Sequence, residues 1–119
     1  MHTAKNMNEP VSPFEREKGI IYNVTIKVNA VIANDWLAWL KDEHIADVLE
    51  TGCFVNARIL KLSDIDETEG PTYAIQYFAK NRSLYDQYIE KYAGIMRQKG
   101  FDKWGDKFIA FRSVMEVIN

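Results

Sequence analysis

The chain has one cysteine, Cys53, so it cannot form an internal disulfide. Its framework must come from a packed core, and this cysteine usage suits a reducing, cytoplasmic setting. One cysteine and two distant histidines, His2 and His44, do not supply the four ligands of a zinc site, so no metal centre is expected. Positive charge is not in excess. Fifteen Lys and Arg against 17 Asp and Glu leave a formal charge of -2, which argues against a nucleic-acid surface. No apolar run reaches the roughly 18–20 residues needed to cross a bilayer, and the first residues lack the apolar stretch of a secretory signal. Also missing are a haem-ligand motif, a flavin or nucleotide glycine loop and a metal triad, so no cofactor is expected.

What is present is a sequence of 119 residues with 47% apolar side chains, the size and content of one packed domain. Met1 to Gly19 is polar, carries Pro10 and Pro13, and follows neither a two-residue nor a 3.6-residue period. It reads as a mobile arm over 1–19, with the domain at 20–119. Ile20 to Val28 alternates as a strand: Ile20, Tyr22, Val24, Ile26 and Val28 form an apolar face, and Ile21, Asn23, Thr25 and Lys27 a mixed one.

Asn34 to Gly52 reads as one amphipathic helix, opened by Asn34 or Asp35 as N-cap and closed by Gly52. Leu37, Leu40, His44 and Val48 recur at i, i+3, i+7 and i+11, which sets an imidazole inside an apolar stripe. Cys53 to Ser63 reads as the second strand, Asp64 to Pro71 as an acidic turn, and Thr72 to Ala79 as the third strand. In the turn, Asp64, Asp66, Glu67 and Glu69 lack the ligand spacing and turn glycine of a calcium loop. A second helix starts near Ser83, carries Leu84, Tyr88, Tyr92 and Ile95 on one face, and is expected to end at Gly100 after Arg97 and Lys99. Trp104 to Lys107 is a turn, and Phe108 to Ile118 the last strand.

The order βαββαβ predicts an α+β, ferredoxin-like sandwich: a four-stranded antiparallel sheet in order 4-1-3-2 with both helices on one side. The other sheet face is expected to carry Ile21, Asn23 and Thr25, Ala74, Gln76 and Phe78, and Phe108, Ala110, Arg112, Val114 and Glu116. A one-residue change of register would exchange the faces. A half-apolar face of this size predicts sheet-to-sheet packing in a homodimer. The alternative is that the N-terminal arm covers it.

Several segments also resemble a known family. I-I-Y-N-V-T at Ile20 to Thr25, W-L-x-W-L-x-x-E-H-I at Trp36 to Ile45 and T-G-x-F at Thr51 to Phe54 form one set. Y-x-I-Q-Y-F at Tyr73 to Phe78, G-D-K at Gly105 to Lys107 and A-F-R-S-x-x-E-V-I at Ala110 to Ile118 complete it. Over Ile20 to Ile118 the chain resembles a family of small bacterial proteins classed as a domain of unknown function. That family is similar in turn to the dimeric α/β-barrel superfamily, which includes antibiotic-biosynthesis-type monooxygenases, EthD-like proteins and muconolactone-isomerase-like enzymes. The resemblance implies a dimer with a cleft between helices and sheet, and it carries over no catalytic set.

Three functional readings follow. In the first, a dimeric module holds a small apolar or aromatic molecule in the cleft beside His44, lined by Trp36, Leu40, Tyr22, Gln76 and Tyr77. In the second, a cofactor-free isomerase- or monooxygenase-like enzyme uses His44 as acid or base. In the third, the dimer is purely structural, and His44 is a core residue bonded to a strand side chain such as Tyr22, Gln76 or Tyr77. Trp36 and Trp39 serve either to stack on a ligand or to bury area against a partner. Asn23, Arg58, Gln76 and Arg112 are polar groups inside strands. Arg112 is expected in one row with Asn23 and Gln76, facing either a ligand carboxylate or the dimer interface.

Overall fold

The computed structural model describes residues 18–119. The expected N-terminal arm lies outside them except for Lys18 and Gly19, and the Gly19 carbonyl is already tied to the sheet, accepting from the Val117 N–H at 2.9 Å. The elements are β1 (Ile20–Val28), α1 (Ala33–Trp39), a π-turn (Leu40–His44), α2 (Ile45–Glu50), β2 (Asn56–Lys61), β3 (Thr72–Ala79), α3 (Arg82–Lys91), α4 (Ala93–Trp104) and β4 (Phe108–Glu116). The strands form one sheet in the order β2-β3-β1-β4, with every pair antiparallel. This is the expected 4-1-3-2 order.

The loop from β2 to β3 packs tightly on the end of β1 because Gly70 has φ +142°, and a Cβ there would lie 1.8 Å from the Val28 carbonyl oxygen. That glycine lets the chain return close enough for Val28 N–H to donate to Pro71 and Ala30 N–H to Glu69. The acidic residues nearby make local bonds: Asp66 accepts from the Thr68 N–H and hydroxyl, and Glu69 and Glu67 pair with Lys27 and Lys61.

The helical segments differ from the sequence expectation in their caps, their breaks and their ends. The first helix begins at Ala33 with Ile32 as a cap that makes no side-chain bond, so neither Asn34 nor Asp35 caps it. Asn29 instead accepts from Val31 N–H and shapes the preceding turn. The third segment is capped by Asn81, whose side chain accepts from Leu84 N–H at 2.9 Å, two residues ahead of the expected Ser83 box. It also breaks at Tyr92 (φ -124°, ψ -29°) and resumes as α4, which runs through Gly100 and stops at Gly105 (φ +62°). Gly100 is not a terminator: it is buried against the Trp39 ring, 3.7 Å from where its Cβ would be. A glycine inside a helix can serve close packing as well as termination, and the local sequence does not distinguish the two.

The largest change lies in the first helix. Ile45 N–H donates to Leu40 C=O, an i→i+5 bond that inserts one wide turn. On a regular helix, three steps of four residues drift by about 120° around the axis. The extra residue absorbs that drift, so Trp36, Leu40, His44 and Val48 run in a line. Trp36, Leu40 and Val48 are almost fully buried, while Leu37 is displaced to the margin and half-buried.

Register decides the two sheet faces. Tyr22 pairs with Tyr77 and Val114, Val24 with Ile75 and Arg112, and Ile26 with Tyr73 and Ala110. Directly opposed residues share a face, so Arg112 and its alternates lie on the helix side. The outer face of β4 is Ile109, Phe111, Ser113 and Met115, one residue out of phase with the expectation. The reason is that β4 has apolar residues in both phases, and alternation alone could not choose between them.

Candidate functional site

The helix-side core is built by aromatic residues from every layer. Trp36 stacks on Tyr73 (5.6 Å, 26°), and Phe54 packs on Tyr77 (5.3 Å) and edge-on to Tyr88 (4.8 Å). Rings of this size do not tile a four-stranded floor completely. A cavity of about 60 Å³ remains between sheet and helices. Tyr22, Val24, Ile75 and Tyr77 form its floor, Trp36, Trp39, Leu40, His44 and Val48 one wall, and Tyr88, Met96 and Arg97 the other. Arg97 and Arg112 are the only exposed residues among those lining it, so they mark its mouth.

His44 reaches this cavity because the π-turn keeps it in line with Leu40. Its ring stacks on Trp39 at 4.5 Å and 22°, and Trp39 meets Trp104 edge-on at 5.9 Å. The His44 Nδ1 and the Trp104 Nε1 are buried with no hydrogen-bond partner. Burial holds the His44 pKa down to about 4, with Asp47 opposing the shift and Lys99 reinforcing it. Lys99 and Asp47 pair at 3.2 Å, joining α4 to α2 next to the ring. At neutral pH the imidazole is therefore uncharged. Burial also raises the hydroxyl pKa values of Tyr77 and Tyr88, which stay protonated and can donate.

The residues singled out in the sequence separate into two groups. Tyr22, Trp36, Leu40, His44, Tyr77 and Arg112 line one cavity. Gln76, Asn23 and Arg58 do not: they pair with one another across the opposite face, Asn23 to Gln76 and Gln76 to Arg58. The row expected to hold Arg112 holds Ser113 instead. Gln76 donates to Asn23 (3.3 Å), and Asn23 donates to Ser113 (3.3 Å) and Thr25 (3.0 Å). Gln76 thus cannot orient His44. Tyr22 does not either: the His44 Nδ1 has no partner, and the Tyr22 hydroxyl instead accepts from Arg97 Nη2 at 3.3 Å. Arg97 was missed by sequence reasoning, because a cation before Gly100 looked like the end of a helix. Its one sequence signal was its spacing, four residues after Ala93 and three before Gly100, both buried, which sets Arg97 at the edge of the inward face of the helix.

On the outer face, apolar residues surround this polar row. Phe111 and Ile109 are 67% and 56% exposed, and Met115 and Leu60 join them. Asn23 at the centre is only 8% exposed.

The fold is similar to a dimeric ferredoxin-like protein from an uncultured marine organism (14% identity, 87% of this chain and 98% of that one, TM-score 0.63). It is also similar to a protein of unknown function from Bacteroides thetaiotaomicron described as a possible oxidoreductase (18% identity, 85% and 99%, TM-score 0.61). A third similar structure is SnoaB, a cofactor-independent oxygenase from Streptomyces nogalater (9% identity, 85% and 94%, TM-score 0.61). At these identities the likeness establishes the fold alone. No curated protein matches the sequence. The family model of a domain of unknown function, DUF4286, matches residues 19–118.

Proposed function

The chain belongs to the DUF4286 family, and we propose that it is a homodimeric module binding a small apolar or aromatic molecule in the helix–sheet cavity beside His44. The observation that carries this reading is a space of about 60 Å³ lined mainly by aromatic and aliphatic side chains, with a half-buried imidazole in its wall whose Nδ1 has no partner. A purely structural core would gain by placing leucine there, because an unbonded buried nitrogen costs about 1–3 kcal/mol. A ligand atom of matching polarity removes that cost. The enzyme reading is weaker on the same facts. A general base works best with a pKa near the operating pH, and a pKa near 4 makes this imidazole a weak base at neutrality. It suits a hydrogen-bonding role better than proton transfer.

Dimerisation is supported by the outer face, where exposed Phe111 and Ile109 flank a hydrogen-bonded polar row. An apolar patch of this kind marks an interface, and the described neighbour named as dimeric shares the fold. Sedimentation at micromolar concentration should give a dimer, and Phe111→Glu, which sets a charge in the middle of that face, should give a folded monomer. A wild-type monomer would refute the sheet-to-sheet arrangement.

The binding reading is tested by thermal shift against small aromatic compounds, both neutral (indole, benzyl alcohol) and acidic. A ligand at a hundredfold excess over its Kd adds about 2.7 kcal/mol, enough to raise Tm by several degrees. The response should weaken in His44→Leu. If no compound of either kind shifts the wild type, the reading is wrong.

A further inference from the structure

We propose that the ligand is an organic monocarboxylate, its acid group held at the cavity mouth by the guanidiniums of Arg97 and Arg112 and its apolar body directed inward. This rests on the binding reading above and adds the chemical class.

The first argument is charge. Arg97 comes from α4 and Arg112 from β4, and both line the cavity. Among the described residues neither forms an ion pair; the pairs present use Lys27, Lys61, Arg82 and Lys99. No Asp or Glu lines the cavity, so two cations face an apolar space with no counter-charge. Low-dielectric walls focus such a field on an entering anion. Both are also the exposed members of its lining, one from a helix and one from the edge strand of the sheet, so they stand at the same mouth.

The second argument is hydrogen bonding. Arg97 donates one N–H to the Tyr22 oxygen, which leaves the remaining guanidinium donors and the Tyr22 O–H proton available to an acceptor. A planar carboxylate matches the arginine fork with two parallel bonds. Size is the third. An apolar cavity of about 150 Å³ admits a whole benzene, whereas this one measures about 60 Å³. A ligand of that width enters only in part, so one end must stay at the mouth, where the arginines are. The alternative role for Arg112, a stem laid over the sheet edge with its head in water, predicts no effect on any ligand.

The test compares benzoate with its neutral isostere benzamide by chemical-shift titration. It uses the wild type, the double variant Arg97→Gln/Arg112→Gln and the double variant Arg97→Lys/Arg112→Lys. Benzoate should bind the wild type at least tenfold tighter than benzamide and weaken as salt rises. The glutamine variant should lose roughly ten- to a hundredfold in benzoate affinity with benzamide unchanged, and the lysine variant should fall between. Equal benzoate affinity in the wild type and the glutamine variant would overturn the carboxylate assignment while leaving the pocket intact. Should the glutamine variant bind neither probe, the wild-type ratio decides, since parity of benzoate and benzamide overturns the proposal. If the wild type binds neither acidic nor neutral aromatics, this inference and the binding reading fall together.

Discussion

Replacing Trp36 with alanine is expected to lower the unfolding free energy by roughly 3–5 kcal/mol, the range for deleting a buried large aromatic. Trp36 is 2% exposed, among the most buried large side chains described, and its ring stacks on Tyr73. The void it leaves adjoins a cavity that already exists, because Trp36 is part of the wall. Close-packed neighbours collapse only partly into such a space. Urea unfolding should show a lower midpoint at nearly constant slope. The same change widens the binding space, so any variant that still folds at low temperature should prefer bulkier ligands. A loss below about 1 kcal/mol would mean that the helix repacks and that the observed stacking does not govern the core.

The second large effect is a dependence on pH centred on His44. Its folded pKa of about 4 lies below the ordinary value of 6.5. As pH falls, the unfolded chain therefore takes up the proton first. Stability is complete above about pH 6.5, declines between 6.5 and 4, and levels off below the folded pKa. The total loss is up to about 3 kcal/mol, since one pKa unit corresponds to roughly 1.4 kcal/mol. Asp66, whose carboxyl is held low by Thr68, titrates beneath this window. His44→Leu should flatten the decline between pH 7 and 4.5. It should also raise stability at neutral pH by about 1 kcal/mol, because it removes a buried nitrogen without a partner. Denaturant titrations of both proteins at the two pH values measure this directly. An unchanged decline in the variant would assign it to other groups and detach the imidazole from the folding equilibrium.

Strand existence, strand order and the presence of a helix-borne histidine were all legible in the residues. β1 and β3 were read to within their observed limits because each alternates cleanly and is closed by turn residues. The sheet order followed from βαββαβ, since crossovers and hairpins leave few arrangements. The family resemblance over Ile20 to Ile118 corresponds to the matched span 19–118.

Three things were decided only in three dimensions. The π-turn is a single extra residue in a hydrogen-bond ladder, and no local residue preference announces it. It nonetheless determines that Trp36 is buried and Leu37 is not. The phase of β4 was hidden because Phe108, Ala110 and Val114 compete with Ile109, Phe111 and Met115 for the core. Pairing with β1 settles it and moves Arg112 to the cavity side while Gln76 stays outside. Finally, Arg97 and Arg112 stand 15 positions apart in the chain, and only the return of β4 alongside β1, beneath α4, brings them to one mouth. Periodicity describes one element at a time; which side chains share a cavity depends on how several elements are phased against each other, and that is a property of the packed whole.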